Sequence, residues 1–371
     1  MIVSSLRTAA FRNLEDSVTN TCARNVFLVG ENGQGKSNFL EALYFCSYAS
    51  SFRSARDGEI VRNGEKSFAA AMAIAGDAAA EFERSDILIK FEKGKKTVCI
   101  DEKKIQDRKD LLSVVPSIIF CHEDMEFISG SPERRRWFFD QVLSLSDPVY
   151  LDDLRRYRWV LKSRNCALRD SHLQGGEINA LLDALDRQYV IYGLKLMEKR
   201  QAAAELFSQV FEPLYRDVAG IAGMTVQYAP SWKSNNEEET YSQTLKRRAA
   251  DMAAGLSLSG PHRDRYTFCL DAPAGGADFA AKASTGQRRL LALLLRVAQA
   301  RRYSQASGKN PILLLDDVLL EMDGEKRRRF LLALPPCDQA FYTFLPDEPY
   351  QRYISGDTLV YRVSEGKLKA E

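Results

Sequence analysis

Hydrophobic positions along this chain change their period twice. Near the N-terminus they follow short-strand patterns. Residues 6–11 carry a half-buried alternation, and residues 25–29 hold a compact apolar run, Val26-Phe27-Leu28-Val29, that stops at Gly30. From Lys36 to about Ser47 the apolar residues Phe39, Leu40, Leu43 and Tyr44 recur at helical spacing. The segment therefore predicts a strand, a glycine-rich loop and an amphipathic helix. Across residues 68–120 apolar and charged residues alternate (Ile87, Leu88, Ile89, Phe91; Thr97, Val98, Ile100) around Lys93-Gly94-Lys95-Lys96. This predicts an antiparallel hairpin and further strands ending at 117–120, a β-rich edge to a first lobe.

In the middle of the chain the period becomes heptad-like. Tyr150, Leu154, Tyr157, Leu161 and Leu168 form one seam, and Ile178, Leu182, Leu185, Tyr189, Tyr192 and Leu196 form another. Joined through residues 171–176, with Gly175-Gly176 as the breaker, they predict an antiparallel helical hairpin inserted into the fold. Its second helix, from about 177 to 210, would be roughly 50 Å long, an arm rather than a long rod. After a polar stretch at 231–240 the pattern returns to α/β: an apolar helix at 290–300, a continuous buried-strand run at 312–315 and a further strand at 339–345.

Composition narrows the class. With 371 residues, 45% of them hydrophobic and 27% charged, the chain can bury a core and divide into two or three lobes. No apolar stretch approaches the roughly 18 residues of a membrane-spanning helix, and the opening residues lack an apolar leader core, so the expectation is a cytoplasmic protein with no membrane partner. Seven dispersed cysteines and three histidines show neither a disulfide framework nor zinc-ligand spacing; the cysteines read as small buried hydrophobes. Against 50 acidic residues stand 52 basic ones, a net charge of +2, which excludes indiscriminate coating of nucleic acid. Any nucleic-acid contact must come from a local patch.

The chemistry concentrates at three places. Gly30-Glu31-Asn32-Gly33-Gln34-Gly35-Lys36-Ser37 fits the phosphate-binding pattern G-x-x-x-x-G-K-[ST] at every fixed position. Its glycines allow backbone N–H groups to turn inward on an anion at a helix N-terminus. Lys36 would reach the β- and γ-phosphates of ATP, and Ser37 would offer a hydroxyl to Mg²⁺. A second carboxylate for that cation belongs at the end of a neighbouring buried strand, where Asp316 and Asp317 close the run from Pro311 to Leu315. Asp316 is the expected Mg²⁺ partner and Asp317 the candidate to polarise the attacking water. Finally, Ser284-Thr285-Gly286-Gln287 precedes the apolar helix, a helix start able to grip a phosphate or simply to cap the helix.

The order of these motifs along the whole chain resembles the ABC-type ATPase heads of the SMC and Rad50 kind. The stretches that carry the likeness are Phe11-Arg12-Asn13, residues 30–45, Ser51-Phe52-Arg53, residues 130–140, Leu161-Lys162-Ser163-Arg164-Asn165 and Ser259-Gly260-Pro261-His262-Arg263-Asp264. The resemblance implies an α/β ATPase head, a P-loop parallel sheet plus an antiparallel β subdomain, with an inserted α-helical arm domain. Residues 1–130 and 256–371 would form the two parts of the head and 131–255 the insertion. It also implies a homodimer that closes on ATP, each P-loop capped by Ser284–Gln287 of the opposite protomer.

Where most such heads carry Glu after the strand's Asp, this chain has Asp317, and the shorter side chain suggests slow hydrolysis. Leu320 and Met322 replace the usual residues around Glu321 and Asp323; no role attaches to His122 or Glu123, and Thr343 stands where a histidine switch would be sought.

By the same resemblance the protein is a weak DNA-dependent ATPase that binds duplex and gapped or single-stranded DNA without sequence specificity and, with two partner proteins, helps load recombinase. Basic clusters at 134–136, at Arg155, Arg156, Arg158, Lys162 and Arg164, and at 246–248, 301–302 and 326–329 could track a duplex backbone. The alternative from another class is a P-loop kinase acting on a small molecule or nucleotide.

Overall fold

The computed structural model describes the chain except for residues 1, 55, 76–84, 108, 170–175, 271–277, 320, 321 and 323. In chain order the elements are β1 (Ile2–Ala9), β2 (Ser17–Asn20), β3 (Asn25–Val29), α1 (Lys36–Tyr48), β4 (Ser67–Ala75), β5 (Ser85–Glu92), β6 (Lys95–Ile100), β7 (Lys103–Lys104), α2 (Lys109–Val114) and β8 (Ser117–Phe120). Then come α3 (Glu126–Ser129), α4 (Pro132–Ser146), α5 (Pro148–Arg169), α6 (Gly176–Ala219), β9 (Met224–Ala229), α7 (Glu237–Ala254), β10 (Arg265–Leu270), α8 (Phe279–Lys282) and α9 (Thr285–Ser307). The last are β11 (Ile312–Leu315), α10 (Gly324–Ala333), β12 (Ala340–Phe344), β13 (Thr358–Ser364) and β14 (Lys367–Ala370). These elements divide into two compact units, residues 1–124 with 299–371, and residues 125–298.

The first unit holds two six-stranded sheets, ordered β14-β13-β3-β12-β11-β8 and β2-β1-β4-β5-β6-β7. In the former, β13, β3, β12, β11 and β8 run parallel and only β14 is antiparallel. Both faces of its β11–β8 end are covered: β11 and the edge strand β8 are buried along their whole length. The second sheet is antiparallel, and β5 and β6 are joined through Lys93-Gly94, both at positive φ as a two-residue hairpin requires. Helix α1 supplies Phe39, Leu40, Leu43 and Tyr44 to the core shared with Val3, Leu6 and Ile74 of the antiparallel sheet and Val26, Leu28 and Leu314 of the parallel one. Gln339, fully buried, ties the two sheets: its amide nitrogen donates to the carbonyls of Val3, Thr21 and Ala23, and its oxygen accepts from the Val3 amide.

One strand departs from the pattern-based expectation. Residues 117–120 join the parallel sheet beside β11 instead of extending the antiparallel edge. Three apolar residues in a row, Ile118-Ile119-Phe120, fit a strand covered on both faces, and nothing local distinguishes which sheet will cover them.

The second unit is built on α5 and α6, whose pairings Arg164–Asp186, Tyr157–Tyr189 and Tyr150–Arg200 run in opposite sequence directions, as an antiparallel hairpin must. The seam residues Tyr150, Leu154, Tyr157, Leu182, Leu185, Tyr189 and Leu196 form its core. The linking residues 171–175 lie outside the described residues. Helix α6 has 44 residues, about 66 Å, and passes the expected end because Phe211, Leu214, Tyr215 and Val218 continue the buried face.

Much of the family-like sequence turns out to brace this unit. Arg200, 2% exposed, binds Asp140 at 2.7 Å, Asp264 at 3.0 Å and the Pro261 carbonyl at 2.7 Å. Tyr150 donates to Asp140 and Tyr228 to Asp264. A Cβ on Gly260 would lie 2.2 Å from the Tyr189 hydroxyl, so the chain there needs glycine.

His262 places Nε2 2.9 Å from the Ser257 carbonyl, so Nε2 carries the proton and Nδ1 accepts from the Tyr157 hydroxyl at 2.8 Å. Burial, with Arg263, Arg136 and Arg164 nearby, pushes its pKa down to about 4 from an ordinary 6.5. The neutral ring is the native form, so its contribution to stability is complete above 6.5 and is lost as pH falls through about 4, by up to about 1.4 kcal/mol per pH unit. Thermal unfolding across that window should show this slope in the wild type and its disappearance in His262→Gln; identical slopes would remove His262 as the cause.

Several basic residues counted as a possible surface are buried or held by partners within the fold. Arg164 is fully buried between Asp186 and Asp251, Arg136 donates to the Asp264 carbonyl, Arg135 pairs with Asp278, and Arg248 with Asp183 and Asp186. The cysteines divide: Cys46, Cys121 and Cys269 are buried, whereas Cys22 and Cys166 are exposed.

Candidate functional site

The parallel sheet decides where the chemistry gathers. Strand β12 lies between β3 and β11, so the loop after β3 and the acids after β11 emerge at the same, carboxyl-terminal edge, one strand apart. Register places Leu315 beside Tyr342 and Thr343 beside Leu28, which sets Thr343 at the level of the acids.

The loop from Gly30 to Gly35 delivers the chain into α1. Gly35 caps the helix at φ 117°, a backbone state that a side chain would strain, and α1 has no side-chain cap at its start. The first-turn amides thus point at the loop's interior without an intrahelical acceptor. Lys36 is 4% exposed and folds back over this loop, its Nζ donating to the Gly30 carbonyl at 2.6 Å and the Glu31 carbonyl at 3.1 Å. Gln34 braces the loop from behind: its side-chain oxygen accepts from the Glu365 amide and its carbonyl from the Gly366 amide.

Ser37 donates from Oγ to Asp316 Oδ1 at 2.8 Å. Thr343 joins the two acids: its hydroxyl lies 2.9 Å from Asp317 Oδ1 and 3.3 Å from Asp316 Oδ1, and it accepts from the Asp317 amide at 2.7 Å. Asp317 is held at φ 50°, an uncommon conformation for a non-glycine residue. Burial, then the charge of Asp317, push the Asp316 carboxyl up to about 6, against the Ser37 hydrogen bond and Arg53. A small cleft of about 140 Å³ opens here, lined by Asn32, Gly33, Gly35, Lys36, Ser37, Asn38, Arg53 and Asp317.

Sequence reasoning did not assign Arg53, Asn38 or Glu41 to the site. Arg53 donates to Asn38 at 2.9 Å and lies 3.9 Å from Glu41 and 4.0 Å from Glu123. Glu41, fully buried in α1, receives both Nε and a terminal nitrogen of Arg12 and the hydroxyl of Ser51. The signal that was available is the pair of short family-like stretches around Arg12 and Arg53, which α1 gathers on one side of the loop. Thr343 was visible only as the residue standing in place of a histidine. His122 is exposed.

The predicted signature falls in the second unit. Ser284 and Gln287 close a reciprocal box at the start of α9: the Ser284 hydroxyl accepts from the Gln287 amide at 3.3 Å, and Gln287 Oε1 accepts from the Ser284 amide at 2.9 Å. All four residues, Ser284 to Gln287, are exposed, which leaves the first-turn amides of Thr285 and Gly286 accessible to an anion. Of the residues around Met322, positions 320, 321 and 323 lie outside the described residues.

A P-loop entering a helix beside an acid-tipped parallel strand, with an antiparallel sheet behind, defines an ATPase head of the ABC type. The RecF/RecN/SMC N-terminal domain family matches residues 2–342. The chain is 42% identical over 358 residues to the DNA replication and repair protein RecF of Treponema pallidum, covering 96% of this chain and 97% of that one. It is 31% identical to that of Shouchella clausii, covering 100% and 99%. A solved structure of the recombination mediator protein RecF with ATP superposes with a TM-score of 0.88 at 25% identity, over 100% of this chain and 97% of the other. An SMC head bound to the C-winged helix domain of ScpA shares the fold at a TM-score of 0.55. The chain belongs to the RecF family of DNA replication and repair proteins.

Proposed function

We propose that this protein is an ATP-gated DNA clamp. ATP binding closes a homodimer on duplex DNA at single-strand gaps, slow hydrolysis reopens it, and partners of the RecR and RecO kind use the closed state to load recombinase. The observation that carries this reading is the exposed helix start at Ser284–Gln287. It is an anion grip of signature type in the unit that does not contain the P-loop, capped among the described residues by its own Ser284 and Gln287, and a small-molecule kinase would have no use for it.

Within one site, Lys36 exchanges its loop carbonyls for the β- and γ-phosphates while the amides of Gly33 to Lys36 take the remaining phosphate oxygens. The donor set at Ser37 and Asp316 suits Mg²⁺: a hydroxyl and a carboxylate 2.8 Å apart are hard oxygen ligands, and one carboxylate is the usual protein share for a cation that also takes phosphate. That ion would offset phosphate charge. Asp317, fixed by Thr343, is the acceptor for the proton of the attacking water. DNA contact then falls to the cations that remain outside, among them Arg155, Arg156, Arg158, Lys162, Lys246, Arg247, Lys326, Arg328 and Arg329, and such phosphate contact carries a steep salt dependence.

Sedimentation of Asp317→Asn, with and without ATP and Mg²⁺, tests the clamp. The expected result is a monomer that becomes a dimer with ATP and then retains a gapped duplex, with turnover well below wild type. Ser284→Arg should bind ATP as a monomer yet fail to dimerise. If Asp317→Asn stays monomeric and indifferent to DNA, the clamp is wrong and a kinase acceptor should be sought; if Ser284→Arg abolishes nucleotide binding by the monomer, capping by the opposite protomer is wrong.

A further inference from the structure

The exposed face of α5 carries a large aromatic in an unusual setting. Trp159 is 63% exposed, while its neighbours Tyr157 and Val160 are buried in the seam against α6. Around the indole, one helical turn away on either side, stand Arg155 and Arg156 at i−4 and i−3 and Lys162 at i+3, with Arg158 adjacent. All four cations are exposed, and residues 155–162 contain no carboxylate. Arg158 approaches Asp140 at 3.2 Å and Arg155 lies 3.9 Å from Asp152, so the nearby acids offset the patch only in part. The cationic surface continues onto α6, where Lys195 and Arg156 both lie over the Tyr192 ring.

Phosphate contacts alone do not explain an exposed indole. In an intact duplex each base is stacked between its neighbours and offers no free π face. An unpaired nucleotide offers one, and the combination of cations for the backbone with an aromatic for the base is how single strands are held without sequence preference. A protein partner is the competing occupant, since Trp and Arg are also common anchors there. Such anchors are ringed by contacts that exclude water, and interface cores are depleted in Lys, whereas here the ring is flanked by long, solvated cations.

We propose that Trp159, set among Arg155, Arg156, Arg158 and Lys162, is a stacking platform for an unpaired base at the edge of a single-strand gap. The assignment rests on the DNA-binding reading above and adds to it a means of telling gapped from intact duplex.

The full-length protein, with ATP, is titrated against a blunt duplex and against the same duplex carrying a short single-stranded gap. Trp159→Ala should lose roughly tenfold in affinity for the gapped duplex and little for the blunt one, and Trp159→Phe should keep most of the preference. Tryptophan fluorescence supplies a second readout: oligothymidylate should quench the wild type, and the Trp159→Phe variant should lose that quenching while still binding. Equal losses on both duplexes would overturn the platform. So would a Trp159→Ala variant that binds both as the wild type does, which would make Trp159 an anchor for a protein. A wild type that binds neither duplex would instead take down the DNA reading, and the platform with it.

Discussion

Lys36→Ala lowers ATP affinity by two to three orders of magnitude and removes every ATP-dependent change of assembly. Lys36 is nearly inaccessible, makes no salt bridge with a carboxylate among the described residues, and has only the carbonyls of Gly30 and Glu31 for partners. It is a cation already desolvated and held in place for an anion, so phosphate gains its full interaction with little reorganisation. Truncating one member of such a buried, hydrogen-bonded charge pair typically costs about 2–5 kcal/mol of binding, the origin of the expected loss. Calorimetric titration with ATP measures it, and a thermal melt guards against a folding defect. ATP-induced dimers of wild-type tightness in the variant would refute the role.

Arg200→Met has the largest expected effect on stability, about 3–5 kcal/mol, because it leaves Asp264 buried without a cation and Asp140 with only the exposed Arg158. The guanidinium joins α4 through Asp140, α6 through its own backbone and the Ser259–Asp264 segment through Asp264 and the Pro261 carbonyl. The loss is read as the shift in urea midpoint. Adding Asp140→Asn and Asp264→Asn to the variant should recover part of it, since the penalty belongs to uncompensated charge more than to a missing contact. An unchanged midpoint in Arg200→Met would show that the network contributes nothing. Both Ser284 and Trp159 sit in the unit this network braces, so the variant should fail in dimerisation and DNA binding as well.

The difference between Arg155 and Arg164 shows why the rest of the site was not legible. Both lie in the same basic stretch of one helix, yet the first is a surface cation and the second is enclosed by Asp186 and Asp251, 22 and 87 residues further along. Charge runs carry no information about partners that distant. Arg200 was not singled out at all, because the heptad series ended at Leu196 and its ligands lie 60 and 64 residues away. Thr343 and Arg53 enter the phosphate site only through the neighbouring position of β12 and the packing around α1.

What the sequence determined by itself is whatever depends on residues close together in the chain. The P-loop is eight consecutive residues whose backbone geometry and charge are local, the α5 and α6 seams follow from helical period, and the strand ending in Asp316-Asp317 is a local apolar run with an acidic tip. Tertiary structure alone decided that β8 joins the parallel sheet, that Thr343 unites the two acids and that the Gly260–Asp264 stretch braces α6. It also decided which arginines are buried and that Trp159 stands among the exposed ones. Those outcomes follow from pairing across long sequence separations, where burial and desolvation, set by the assembled fold, outweigh any local preference.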